Sequence, residues 1–228
     1  MRTVKQAALL LVLVALGSEA APGPDCDGLN KTSQLQSLLL QVVGDWVLVW
    51  SVAVTDVNLN FLKYLTSSHV EFRLLDDNNT IVFNERNLVR NSCTTYITNI
   101  TQTNDPGTFR STVGRVEDDG NFTWLHDNAI FTFFETCSDC VSMSYKGIMG
   151  HYLLTYRREG HHRDVDKLKT AHSDYKKLAE CVGLPADNPY VYDGVADFCH
   201  KKSAPEATAE QSRGNKHHLG SDWSPQTQ

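Results

Sequence analysis

The sequence lacks long apolar runs, an excess of basic charge and internal repeats. Beyond the N-terminus no segment approaches the roughly 20 apolar residues that a membrane-spanning helix needs, and no hydrophobic C-terminal tail suggests a lipid anchor. A membrane partner is therefore not expected. Lysine and arginine number 21 against 27 acidic residues, a net charge of −6. With no basic stripe and no nucleic-acid motif, a nucleic-acid partner is excluded. Also missing is a nucleophile, histidine and acid set at spacings that would suggest an enzyme, and neither a cofactor nor a structural metal is expected.

What is present first is a leader. Arg2 and Lys5 precede the apolar residues 7–16, and Ser18-Glu19-Ala20 places small residues at −3 and −1 of a cleavage site. Residues 1–20 read as a secretory signal peptide, so the protein is expected outside the cell. The leader carries Arg2, Lys5 and Glu19, which leaves 208 residues with net charge −7, a length suited to one domain.

Six cysteines follow, Cys26, Cys93, Cys137, Cys140, Cys181 and Cys199. An even count in a secreted chain predicts three disulfides, although six cysteines allow about 15 connectivities. The same compartment suits four sequons, at Asn30, Asn78, Asn99 and Asn121.

Residues 21–34 read as an irregular arm. Between 42 and 156, short β-rich runs alternate with turn chemistry: 46–52, 70–74, 80–85, 94–101, 108–116, 129–134, 141–145 and 152–156. The breaks are rich in Asp, Asn, Pro and Gly, as at 76–79, 104–107 and 117–120. Strands at this spacing predict an all-β sandwich or barrel. A single late helix is predicted, capped by Asp164 with Val165, Leu168, Tyr175 and Leu178 as its apolar stripe, to pack outside the strands. Residues 203–228 hold almost no large apolar side chains and read as a disordered tail.

Gly44-Asp45-Trp46, at the start of the first strand, resembles the Gly-x-Trp signature of lipocalins. With the leader, eight strands and a late helix, the resemblance implies an eight-stranded antiparallel up-and-down barrel over residues 21–202. It also implies that Trp46 sits at the closed end beneath a cation, Arg157 or Arg158. Four segments resemble more closely the alpha-1-acid glycoprotein branch, which includes fish plasma binders of organotins and guanidinium toxins. They are Asp25-Cys26 with Gly44-Asp45-Trp46, then Asn91-Ser92-Cys93-Thr94-Thr95-Tyr96, then Leu178-Ala179-Glu180-Cys181-Val182-Gly183-Leu184-Pro185, and Tyr192-Asp193 running to Cys199-His200-Lys201-Lys202. The resemblance implies Cys26–Cys181 and Cys93–Cys199. Cys137-Ser138-Asp139-Cys140 departs from that pattern. Redox chemistry would need a thioredoxin-like setting and zinc two more ligands. A structural hairpin disulfide is the expected reading, with an intermolecular bond as the alternative.

A barrel of this size holds one small ligand between inward side chains. Alternation from Trp46 points Leu48, Trp50 and Val52 inward. Matching the other strands to the family adds Phe83, Glu85 and Asn87, then Phe109, Val113 and Arg115, then Val141, Met143 and Tyr145, and finally Tyr152, Leu154 and Tyr156. A carboxylate among aromatics must reach solvent, find a cation or stay protonated, so Glu85 is expected to pair with Arg115, to reach solvent at the rim, or to meet a cationic ligand. His161, His162, His217 and His218 read as solvated. The function implied is a monomeric carrier of a small hydrophobic or cationic ligand of organotin, toxin, drug or steroid type. An extracellular immune-modulating glycoprotein with an idle barrel is the alternative.

Overall fold

A computed structural model describes residues 26, 28–118 and 120–199. The expected signal peptide and the expected tail at 203–228 lie outside the described residues. Helix α1 (Leu35–Val42) leads into strand β1 (Gly44–Ala53), and helix α2 (Asp56–Tyr64) follows. The strands continue as β2 (Leu65–Leu74), β3 (Thr80–Val89), β4 (Ser92–Gln102), β5 (Thr108–Arg110), β6 (Val113–Asp118), β7 (Asn121–His126), β8 (Ile130–Phe134), β9 (Cys140–Gly147) and β10 (Gly150–Arg158). Helix α3 (Val165–Cys181) and a short β11 (Tyr190–Val191) complete the order.

Antiparallel pairing runs β3-β2-β1-β10-β9-β8-β5-β4, and β3–β4 closes the ring. This is a closed eight-stranded antiparallel barrel with one helix packed outside. Two of its walls are interrupted: β5 continues as β6, and β7 leads into β8. Above the break β6 pairs with β4 and β7 with β6, forming a hairpin that rises over the rim. Turn chemistry sets the connections. Asp77 accepts from Thr80 Oγ1 at 2.6 Å and from the backbone N–H groups of Asn79 and Thr80 at 3.0 and 2.9 Å, and the hydroxyl first, then the backbone groups, hold its carboxyl below the usual range. Arg90 and Asn91 both have positive φ, which makes the two-residue hairpin between β3 and β4.

The closed end is built on Trp46, which is fully buried. Its Nε1 donates to Val42 O at 2.7 Å, and the Arg158 guanidinium lies 4.3 Å from its ring centroid. Arg158 also donates to Gln41 O at 2.7 Å and Val43 O at 3.3 Å, so one side chain covers the indole and satisfies carbonyls at the end of α1. Of the two candidate cations the structure uses Arg158, which lies directly opposite Trp46 in the β1–β10 register.

Strand β1 is buried on both faces because α3 covers its outer side. Trp50 meets Tyr175 with ring centroids 5.9 Å apart. Asp164 caps α3 by accepting from Lys167 N at 3.2 Å, and Leu168, Tyr175, Leu178 and Ala179 are buried. The disulfides are Cys26–Cys181, Cys93–Cys199 and Cys137–Cys140. The first ties the N-terminal arm to the end of α3 across 155 residues, worth about 5 kcal/mol in the chain-entropy description. Asn30, Asn78, Asn99 and Asn121 are all exposed.

Candidate functional site

The barrel encloses a cavity of about 410 Å³, open at the end opposite Trp46. Leu48, Phe83, Glu85, Asn87, Arg115, Tyr145, Tyr152 and Leu154 line it, each among the residues expected to point inward. Phe83, Phe131 and Tyr145 form a chain of ring contacts 5.6 and 5.3 Å apart along one wall.

The other expected wall residues lie elsewhere, for identifiable reasons. A register shift between Leu48 and Trp50 inserts a bulge in β1. Alternation reverses there, so Trp50 and Val52 turn outward beneath α3. Phe109 is fully buried 5.5 Å from Phe133, in the floor below the cavity. Val141, Met143 and the ring of Tyr156 fill the same closed half, Met143 opposite Phe133 and Tyr156 6.4 Å from Phe72. The break between β5 and β6 resets the alternation, leaving Val113 exposed beside the cavity instead of in it.

Glu85 is the chemically distinctive wall residue. Its Oε1 accepts from Ser68 Oγ at 3.3 Å and Tyr156 OH at 3.5 Å, and the Asn87 side chain bonds it as well. Burial pushes its carboxyl above the usual range, and these three hydrogen bonds oppose the shift without cancelling it. Tyr96 faces Glu85 across the β3–β4 pair, and burial, then the Glu85 charge, pushes its hydroxyl up to about 12. Tyr152 and Tyr156 are raised by the same two causes. The ring of hydroxyls therefore stays neutral and supplies no countercharge.

The expected partner is engaged elsewhere. Arg115 pairs with Glu117 at 2.7 Å and lies over Phe122 on the rim, so it does not neutralise Glu85. Among the described residues no ion pair forms at Glu85. Asn87 is 2 % exposed and its Oδ1 has no hydrogen-bond partner, a buried acceptor beside that carboxylate.

The mouth was not legible in the sequence. Helix α2 lies across it and contributes Val57, Asn58, Phe61 and Leu62 to the lining. Thr55 caps this helix by accepting from Asn58 N at 3.3 Å, and Thr55 followed by apolar residues at 57, 61 and 62 is the signal that would have revealed it. The Asn58 side chain packs against Gly150, whose φ is +123° and where a Cβ would come within 1.8 Å of Asn58 Nδ2. At the same turn that α2 touches, Asp127 accepts from Tyr145 OH at 2.5 Å and Ile148 N at 2.9 Å, fixing the β9–β10 connection at the rim. Asp127 is thus a second, already satisfied carboxylate in the lining.

A separate cluster lies on the outer wall, where Asp45, His69 and Glu159 converge. His69 Nδ1 accepts from Arg86 Nη2 at 2.7 Å, so the ring proton sits on Nε2, facing Glu159 at 3.3 Å. That tautomer leaves no lone pair toward the carboxylates for a metal. Burial holds the His69 pKa down, which keeps the ring neutral. Of the histidines expected in solvent, His161 pairs with Asp139 at 3.1 Å, whereas His162 is buried against Tyr192 and Phe198. His217 and His218 lie outside the described residues.

No family model matches the chain. The closed eight-stranded barrel with an outer helix has a lipocalin-type fold. It is similar to the solved siderocalin Ex-FABP, with a TM-score of 0.50 and 14% identity over 69% of this chain and 97% of that one. In sequence the chain is homologous to saxitoxin and tetrodotoxin-binding proteins 1 and 2 of Takifugu pardalis. It is 49% identical to each over 172 residues, which is 75% of this chain and 44% of each relative. The chain thus spans less than half the length of these curated relatives.

Proposed function

We propose that the chain is a secreted, glycosylated carrier that binds a small ligand with an apolar body and a cationic nitrogen inside the barrel. One observation carries this reading: Glu85 stands half-buried in the cavity wall, its carboxyl desolvated, without a cation. Burying an uncompensated carboxylate is unfavourable, and a positively charged ligand group supplies the missing partner. A carboxylate also accepts N–H donors, so a nitrogenous cation fits better than an organotin or a neutral steroid. The aromatic and aliphatic lining suits the apolar body. Leu48, Phe83, Glu85, Asn87, Tyr145, Tyr152 and Leu154 are the proposed ligand contacts, with Arg115 at the rim.

The relatives' names are consistent with this class, since both are described as binding saxitoxin and tetrodotoxin. Secretion is supported by the expected leader, three disulfides and four exposed sequon asparagines. Native mass spectrometry of the protein from its natural source tests the reading. A bound nitrogenous cation, released on acidification as Glu85 protonates, is the expected result. A barrel that is always empty, and that takes up no amine, overturns it.

A further inference from the structure

The Cys137–Cys140 disulfide has no part in the cavity or in the tie between arm and helix. It closes the turn between β8 and β9, where Cys140 N donates to Cys137 O at 3.0 Å. Two features distinguish it from the other two bridges, its short loop and the cation beside its sulfur; the pairing of one exposed with one buried cysteine it shares with Cys93–Cys199. Its loop spans 3 residues instead of 155 and 106, so it constrains the unfolded chain least. Cys137 is exposed while Cys140 is 5 % exposed. The Arg157 guanidinium, held on β10 opposite Cys140, donates from Nη1 to Cys137 Sγ at 3.4 Å, and its Nε has no acceptor. The turn itself is held independently of the sulfur bridge: Gln41 Nε2 donates to Cys137 O at 2.6 Å and Cys140 O at 2.9 Å, and Thr136 Oγ1 to Cys140 O at 3.0 Å.

We propose that Cys137–Cys140 is a thiol–disulfide exchange site for low-molecular-weight thiols, with Arg157 as the residue that stabilises the Cys137 thiolate. An incoming thiolate, RS⁻, attacks the exposed Cys137 Sγ. An S–S bond forms between R and Cys137 as the Cys137–Cys140 bond breaks, and Cys140 leaves as a thiolate and takes a proton. A second RS⁻ attacks the R sulfur of the mixed disulfide, releasing RSSR and the Cys137 thiolate beside Arg157. Two thiols are oxidised to one disulfide, and the two electrons reside in the cysteine pair. Stabilising the reduced form makes a disulfide more oxidising, and a guanidinium beside the sulfur does so without any thioredoxin-like helix. The other charges at the turn partly offset one another. Asp139 is paired with His161 at 3.1 Å, Glu135 with Lys31 at 2.8 Å, and Asp164, ahead of α3, is drawn down by Lys167 and Arg157. The backbone bonds from Gln41 and Thr136 keep the turn in place when the bridge opens.

The test equilibrates the intact protein in reduced and oxidised glutathione buffers of graded ratio, alkylates it, and measures each cysteine by peptide mass spectrometry. Cys137 and Cys140 are expected to reduce first, while Cys26–Cys181 and Cys93–Cys199 stay oxidised and the barrel keeps its circular dichroism. In Arg157→Gln the equilibrium constant for reduction is expected to fall roughly tenfold, with the Cys137 thiol titrating higher by thiolate absorbance, and Arg157→Lys is expected to restore most of both. If the three disulfides reduce together with loss of structure, or if wild type and Arg157→Gln coincide in both readouts, the site is purely structural and the proposal fails.

Discussion

The two ends of the barrel use the same residue types to opposite effect. At the closed end, Phe72, Phe109, Phe133 and Tyr156 pack ring on ring, Trp46 is buried beneath Arg158, and that cation is engaged by the indole and by two carbonyls. At the open end, Phe83, Phe131, Tyr145 and Tyr152 leave a space between them, Glu85 lines it without a cation, and the neighbouring Asn87 Oδ1 has no donor. One end therefore contributes stability, and the other retains unsatisfied chemistry that a ligand can complete.

If that division is right, the largest effect on folding belongs to Trp46. Trp46→Ala should lower unfolding free energy by about 3–5 kcal/mol, the usual cost of emptying a buried aromatic site, read by denaturant melts. A variant with an unchanged midpoint would mean that the closed end is not the structural anchor.

At the other end, Glu85→Gln should leave folding intact and weaken a cationic ligand by about 1.5–3 kcal/mol, the range for a hydrogen bond to a charged group. The same residue predicts a pH dependence. Burial raises the folded-state pKa of Glu85 above its ordinary 4.5. The stability this confers is fully present below 4.5 and is lost as pH rises through the raised folded value. The stability of empty wild type minus that of Glu85→Gln should therefore decline with increasing pH over that window, while affinity for the cation rises. A difference that is flat with pH would show that Glu85 does not titrate with a raised pKa.

Gly150→Ala sharpens the contrast at the mouth. The added Cβ would collide with Asn58, at a backbone angle that side chains rarely adopt, so α2 should be displaced at a cost of about 1–3 kcal/mol. Stopped-flow release of a bound fluorescent amine should accelerate several-fold. The smallest effect is expected outside both ends, on the rising hairpin. Trp124 is 59 % exposed, and Trp124→Ser should shift stability by no more than about 0.5 kcal/mol.

Which features were legible in the sequence follows from the same physics. The Gly44-Asp45-Trp46 start, most strand positions and the α3 stripe are local patterns, and the fold uses them as read, whereas the two long-range disulfides follow the pairing that the family resemblance implies. The choice of Arg158 over Arg157 is a matter of register between strands more than 100 residues apart, which no local pattern encodes. The bulge that turns Trp50 outward is equally silent, because both faces of β1 are apolar. Helix α2 has only 9 residues and a thin apolar face. Strand β7 has no apolar alternation to reveal it, because it is mostly solvent-exposed and its aromatics Phe122 and Trp124 pack on one another at the surface. Asp127 lies between the expected runs 108–116 and 129–134, and its place in the cavity comes with the tertiary contact to Tyr145.

The central claim, that Glu85 reads a positive charge inside the barrel, is tested most directly by calorimetry with a matched pair of probes. Protonated decylamine and decanol share an apolar chain and differ at the head group. The account predicts that wild type binds the amine more tightly than the alcohol, that Glu85→Gln loses roughly tenfold or more for the amine, and that the alcohol is bound equally by both proteins. Equal affinities of the amine for wild type and Glu85→Gln would contradict it.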